Sequence, residues 1–216
     1  AELEASSVNE WKRQKRELAE AIYRLEDGVE SSLAFQRGNG ISLVVSGKSD
    51  GNTYFDRATQ IMLGLIPAAL HGDPKRAFVI GLGTGQTAGW LAEVDGMESV
   101  EVAEIEPLVG QFAADAADTN WDVTEHPRVD ITFGDGRELL LTSPHTYDLI
   151  VSEPSNPYRA GLSSFYSVDF YRAIGGRLAE GGIFAQWLQG YEIDAMTLAT
   201  VMRTISEVFP PVSLWN

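Results

Sequence analysis

Ala77-Phe78-Val79-Ile80-Gly81-Leu82-Gly83-Thr84-Gly85-Gln86 is an apolar run that breaks into a glycine-rich turn. The run reads as a buried strand and the turn as the opening of a helix, with glycines that let the backbone approach a ligand and amides that point at it. A dinucleotide-binding turn carries a third glycine where Gln86 stands, so pyrophosphate is disfavoured and a sulfonium nucleoside suits the turn better. A tight turn with no ligand would use the same residues, and the turn alone does not choose.

Toward the C-terminus the pattern alternates. Residues 77–80, 99–105, 129–133, 147–152 and 182–187 read as buried strands and the segments between them as helices. This predicts an α/β fold: a Rossmann-like, mostly parallel sheet of the S-adenosylmethionine methyltransferase type, with ligands bound beyond the carboxyl ends of the strands. A further helix over 194–209 and a sixth strand over 212–215 are expected after it.

Toward the N-terminus, Asp56 can cap a helix whose apolar positions Ala58, Ile61, Met62, Leu65 and Ala69 follow the 3.6 period, with Pro67 expected to kink it. Residues 32–37 and 41–46 flank Gly38-Asn39-Gly40, the punctuation of a hairpin. Ser7 and Glu10 form a capping box, after which Trp11, Leu18, Ile22 and Leu25 repeat on one face of a predicted helix that stops at Gly28. The chain thus divides into a helix and β-hairpin element over 1–55 and a nucleoside-binding catalytic domain over 56–216. It starts at Ala1 and stops at Asn216 after an expected strand, so it reads as part of something longer.

Composition narrows the function classes. With 216 residues, 44% of them hydrophobic, the chain has material for a core and no disorder signature. No stretch approaches the roughly 18 to 20 apolar residues that cross a bilayer, and a cytoplasmic setting is the default reading. The absence of cysteine excludes disulfides and thiolate metal sites. His71, His126 and His145 show no ligand spacing, so no metal is expected. A net charge of -15 repels nucleic acid and attracts small cations, although a solvated acidic surface looks the same.

The ends of successive strands carry the chemistry. Glu104 falls about 20 residues after the glycine turn, where a carboxylate can accept both hydroxyls of a free ribose. The third strand runs into Gly134-Asp135-Gly136, where Asp135 can accept from an exocyclic adenine amine and Gly136 permits close approach. After the fourth strand comes Ser152-Glu153-Pro154-Ser155-Asn156-Pro157-Tyr158. An ammonium with a pKa of about 10 must lose a proton before it attacks, and Glu153 is the candidate base. Glu153 and Asn156 could instead merely cap the following segment, and Tyr158 could wall a pocket or belong to the core.

Together these residues resemble the spermidine synthases, a family of polyamine aminopropyltransferases. The resemblance rests on the hairpin, residues 81–85, Glu104-Ile105-Glu106, Gly134-Asp135-Gly136, Tyr147-Asp148-Leu149-Ile150 leading into residues 153–157, Phe170-Tyr171, and Arg177-Leu178-Ala179-Glu180-Gly181-Gly182. Ser46-Gly47-Lys48-Ser49-Asp50 and Gln186-Trp187-Leu188-Gln189 look like bacterial synthase-like domains fused behind a membrane region. The resemblance implies transfer of an aminopropyl group from decarboxylated S-adenosylmethionine to a diamine such as putrescine, without a metal, by a protein that is commonly a homodimer. It implies that Gly81, Gly83, Thr84, Gly85, Glu104, Asp135 and Gly136 hold the nucleoside, that Gln60, Asn156 and Tyr158 face the amine, and that Glu153 is catalytic.

The sequence also departs from the family. Thr84 replaces an aspartate and Thr59 a tyrosine, which removes cation-binding groups. Glu153 replaces an aspartate, and its extra methylene can move a base by about 1 Å, an error worth about 100-fold in rate. Two other readings therefore stay open. One is an S-adenosylmethionine-dependent methyltransferase, because Asn156-Pro157-Tyr158 is similar to the Asn-Pro-Pro-Tyr loop of amine methyltransferases. The other is a non-catalytic nucleoside- or polyamine-binding module.

Overall fold

The computed structural model describes Arg13 and residues 21–29, 32–154, 162–190, 193–209 and 211–215. Strands β1 (Ile22–Asp27), β2 (Ser32–Gly38), β3 (Gly40–Val45) and β4 (Lys48–Asn52) form an antiparallel meander in that order. Helix α1 (Arg57–His71) leads into the second sheet, built from β5 (Arg76–Ile80), β6 (Ser99–Glu104), β7 (Val129–Phe133), β8 (Tyr147–Ser152) and β9 (Leu178–Gln186). Its strands are all parallel and ordered β7-β6-β5-β8-β9. The connecting helices are α2 (Gln86–Ala92), α3 (Pro107–Asp115), α4 (Ala117–Asn120), α5 (Gly136–Thr142) and α6 (Val168–Gly175), with α7 (Ala195–Ser206) following β9.

The continuous apolar runs of the central strands follow from burial on both faces. On one face Val79, Val100, Val102, Leu149 and Val151 pack with Leu91, Phe112 and the meander residues Leu33, Phe35 and Leu43. On the other, Phe78, Ile80 and Ile150 pack with Leu140, Phe170, Tyr171 and Ile174. The first cluster is continuous with the N-terminal meander, so the small sheet shares its core with the large one.

Several expectations need correction. Trp11 and Leu18 lie outside the described residues, but Ile22 and Leu25, read as helical, lie on β1. There Leu25 pairs with Ala34 and Glu26 with Leu33, while the Tyr23 ring sits 6.1 Å from that of Phe35. A ladder along β2 satisfies every second backbone group at once, which outweighs a helical spacing of four apolar residues. Strand β4 was not anticipated at all: Lys48-Ser49-Asp50-Gly51-Asn52 carries no apolar alternation and is held as a strand by its pairing with β3. The sixth strand at 212–215 is absent; Leu214 and Trp215 are exposed and make no ladder with β9, and alternation without a pairing partner leaves no strand. Finally, Asp56 stands at the head of α1 without capping it, because its Oδ2 accepts instead from the Asn52 amide at 2.8 Å.

Candidate active site

The strand order places the loops after β5, β6 and β8 side by side, and the connections diverge between β5 and β8, the switch point at which such sheets open a crevice. Hydrogen bonds extend the sheet one rung beyond its strands, among them Gly81 N to Ala103 O and Glu153 N to Ile80 O, both 2.9 Å. Gly81 has φ +95°, and a Cβ there would lie 3.1 Å from the Glu153 carbonyl oxygen, so a side chain would be strained in conformation and crowded in space. The glycine turn is therefore pressed against the loop that carries Glu153.

Behind the turn, Asn120 is fully buried and its Nδ2 donates to Thr84 O and to Ala113 O, each at 2.8 Å. Helix α2 approaches so closely there that a Cβ on Gly89 would fall 1.8 Å from the Asn120 carbonyl oxygen. Gln86 donates from Nε2 to Thr53 O at 2.9 Å, which ties the same helix to the end of the meander. The turn is thus held from two sides by side-chain amides.

Glu104 ends β6 and is buried. Its Oε2 accepts from Leu82 N at 2.8 Å and its Oε1 from Glu106 N at 2.9 Å, so the carboxylate clamps the glycine turn to its neighbour strand. Burial pushes its pKa up, and the backbone amides around it oppose that shift. The amides of Ile105 and Gly83 also bear on the carboxylate, which therefore sits in a ring of backbone donors. Asp135 is exposed and caps α5: its Oδ1 accepts from Arg137 N at 2.8 Å and Glu138 N at 3.1 Å, leaving Oδ2 for another donor. Gly136 packs the start of that helix on β5, where a Cβ would meet Ile80 at 2.7 Å. Gly83, by contrast, faces open space.

Glu153 sits across the turn from these groups. Burial around its carboxyl pushes the pKa up to about 7; a hydrogen bond from Thr87 lowers it, and the negative charges of Asp56 and Glu104 add to the rise. Thr87 Oγ1 lies 3.0 Å from Glu153 Oε2. Gln60, on α1, is buried and accepts through Oε1 from the Thr84 hydroxyl, while its backbone carbonyl accepts from Thr87 Oγ1 at 2.9 Å. Strand β4 roofs the pair, because a Cβ on Gly51 would lie 3.3 Å from Gln60 Nε2 and 3.5 Å from Thr84 Cγ2. Thr59 is exposed on the same helix.

Gly81, Gly83, Thr84, Gly85, Glu104, Asp135, Gly136, Gln60 and Glu153 thus gather at one end of the sheet, and Asn156 and Tyr158 lie outside the described residues. Sequence reasoning missed Thr87, Asn120 and Gln86. Only their place directly after the glycine turn could have suggested Gln86 and Thr87, and no pattern pointed to Asn120. Among the described residues no group of three or more His, Asp or Glu side chains is arranged to hold a metal ion, and no helix is long and apolar enough to cross a membrane.

The spermine/spermidine synthase domain profile matches residues 57–215, which is most of the chain. The chain belongs to this family. It is 32% identical over 145 residues to a polyamine aminopropyltransferase of Nitrosomonas europaea, covering 67% of this chain and 44% of that one. A Thermotoga maritima polyamine aminopropyltransferase is 27% identical over 149 residues, covering 69% and 50%. The chain therefore spans about half the length of the relatives it matches. Among solved structures, a spermidine synthase in complex with the transition-state analogue AdoDATO superimposes with a TM-score of 0.80 at 22% identity, covering 88% of this chain and 66% of that one. The spermidine synthase from Thermotoga maritima gives a TM-score of 0.78 at 22% identity, covering 88% and 65%. The fold is that of the family, from the parallel sheet to the antiparallel N-terminal element.

Proposed function

We propose that the protein transfers an aminopropyl group from decarboxylated S-adenosylmethionine to a diamine such as putrescine. The observation that carries this reading is the Glu153 carboxyl: half-buried directly after β8, pressed against the glycine turn and 3.0 Å from the Thr87 hydroxyl, with its pKa pushed up to about 7. In the proposed reaction a primary amine nitrogen forms a C–N bond to the methylene beside the sulfonium. The C–S bond breaks with its electron pair going to sulfur, and methylthioadenosine leaves neutral. The ammonium proton goes to the Glu153 carboxylate.

The raised pKa favours that transfer. An amine whose conjugate acid has a pKa of about 10 gives up its proton to an ordinary carboxylate across a gap of about 6 pH units, and to Glu153 across a gap of about half that. Little else is demanded, because a sulfonium is already a good leaving group and the site has mainly to align the amine. Glu104 is proposed to accept from the ribose hydroxyls and Asp135 from the adenine amine, with Gly81, Gly83, Thr84, Gly85 and Gly136 lining the nucleoside. Gln60, Asn156 and Tyr158 are proposed to face the diamine.

One observation favours a second reading, methyl transfer from the intact donor. Thr84 and Gln60 bond to each other, so the position where synthases carry an acid presents no charge and would not repel the donor's carboxylate. Calorimetric titration of the purified protein with decarboxylated donor, intact donor and methylthioadenosine, each with and without putrescine, separates the two. The proposal expects preference for the decarboxylated donor, strengthened by putrescine, and spermidine among the products. Preference for the intact donor supports methyl transfer, and binding without turnover supports a non-catalytic module.

A further inference from the structure

Thr87 stands in the first turn of α2, buried, where that helix crosses α1 so closely that a Cβ on Gly64 would lie 3.2 Å from the Thr87 carbonyl oxygen. Its hydroxyl carries one proton and faces two acceptors on different elements, Gln60 O at 2.9 Å and Glu153 Oε2 at 3.0 Å. One proton cannot serve both at full strength. When Glu153 is neutral the conflict disappears: its own O–H donates to Thr87 Oγ1, and Thr87 donates to the Gln60 carbonyl. When Glu153 is ionised it has no proton to give, and the Thr87 hydroxyl must turn toward the carboxylate.

We propose that Thr87 is the positioning residue of the reaction, fixing the Glu153 carboxyl against the glycine turn and sustaining its ionised form by re-aiming its single hydroxyl proton from Gln60 to the carboxylate. This inference rests on the reading of Glu153 as the base. The surroundings make the donor consequential. Among the described residues, the charged groups that bear on Glu153 are Asp56 at the head of α1 and Glu104 at the end of β6, both acidic and both opposed to ionisation. Thr87 supplies the hydrogen bond that works against them. The same residue couples the base to the amine side of the crevice, because Gln60 bonds Thr87 through its carbonyl and Thr84 through its side chain.

The test uses protein carrying 13C-labelled glutamate carboxyls, with the Glu153 resonance assigned by its loss in Glu153→Gln, and is read alongside the pH profile of kcat. In Thr87→Val, which keeps the shape and removes the hydroxyl, Glu153 is expected to titrate about one pH unit higher, because a carboxylate has lost a charge-assisted bond. The acidic limb of kcat should move with it, and Thr87→Ser should restore both. A merely structural threonine would leave the titration in place, and a Glu153 midpoint unmoved in Thr87→Val, or a serine variant that behaves like valine, overturns the proposal. If Thr87→Val does not fold, Thr87→Ala provides the same comparison. The carboxyl titration needs no turnover, so a wild-type protein that transfers no aminopropyl group refutes the assigned reaction while the midpoints still decide the role of Thr87.

Discussion

The two sides of the crevice are built on different principles. On the side proposed for the nucleoside, Glu104 and Asp135 accept from backbone amides, four in all, and the glycine turn is held by its own main chain and by Asn120. On the side proposed for the amine, Glu153, Thr87 and Gln60 are linked through side chains or through one helical carbonyl, and Gln60 reaches across to Thr84 of the turn. Desolvation raises the pKa of both Glu104 and Glu153, but at Glu104 backbone amides oppose it, whereas at Glu153 a single side-chain hydroxyl does. A single side-chain substitution can therefore retune the second side without touching the main chain that holds the first.

The largest expected effect lies on the amine side. Glu153→Gln should lower kcat by about 100- to 10,000-fold while leaving affinity for methylthioadenosine within about twofold, as measured by steady-state kinetics and calorimetry. Wild-type turnover in that variant would remove Glu153 as the base.

The same residue should make stability fall as pH rises. Glu153 titrates at about 7 in the folded chain against 4.5 when unperturbed, so the folded state holds the proton more tightly. Its contribution is fully present below the unfolded value, declines between the two and is lost above about 7, by about 3 kcal/mol at most. Urea denaturation between pH 4.5 and 8 should show this decline, and Glu153→Gln should flatten it and be the more stable protein at pH 8. A variant less stable than wild type at pH 8 would break the contrast between the two sides.

Glu104→Ala should behave in the opposite way. The amides of Leu82 and Glu106 lose their acceptors, which should destabilise the fold by about 2 kcal/mol in the same assay and weaken nucleoside binding together with it. Smallest is Asp135→Ala, which removes an exposed helix cap worth about 1 kcal/mol. A loss of methylthioadenosine affinity larger than that would sharpen its assignment to the adenine.

How much was legible follows the same division. The places of Gly81, Glu104 and Asp135 at or just past the ends of strands could be read directly, because a parallel sheet brings strand ends together wherever they fall in the chain. The place of Glu153 directly after β8 was legible for the same reason. Thr87 was passed over because it sits inside a helix whose pattern explains it fully, and Asp56 was read as a cap because the neighbouring strand β4 that claims its carboxylate was not recognised.

The sequence by itself determined the parallel sheet, its order of loops and the acids at their ends, since two local periodicities and the turn chemistry suffice for these. Only the tertiary structure decided that Ile22 to Asp27 is a strand, that β4 roofs Gln60 and Thr84, and that one threonine hydroxyl lies between Gln60 and Glu153. The physical reason is that each of these depends on a partner far away in the chain. A strand exists through the ladder it joins, and a hydrogen bond between helix and loop exists only once packing has brought them to within about 3 Å.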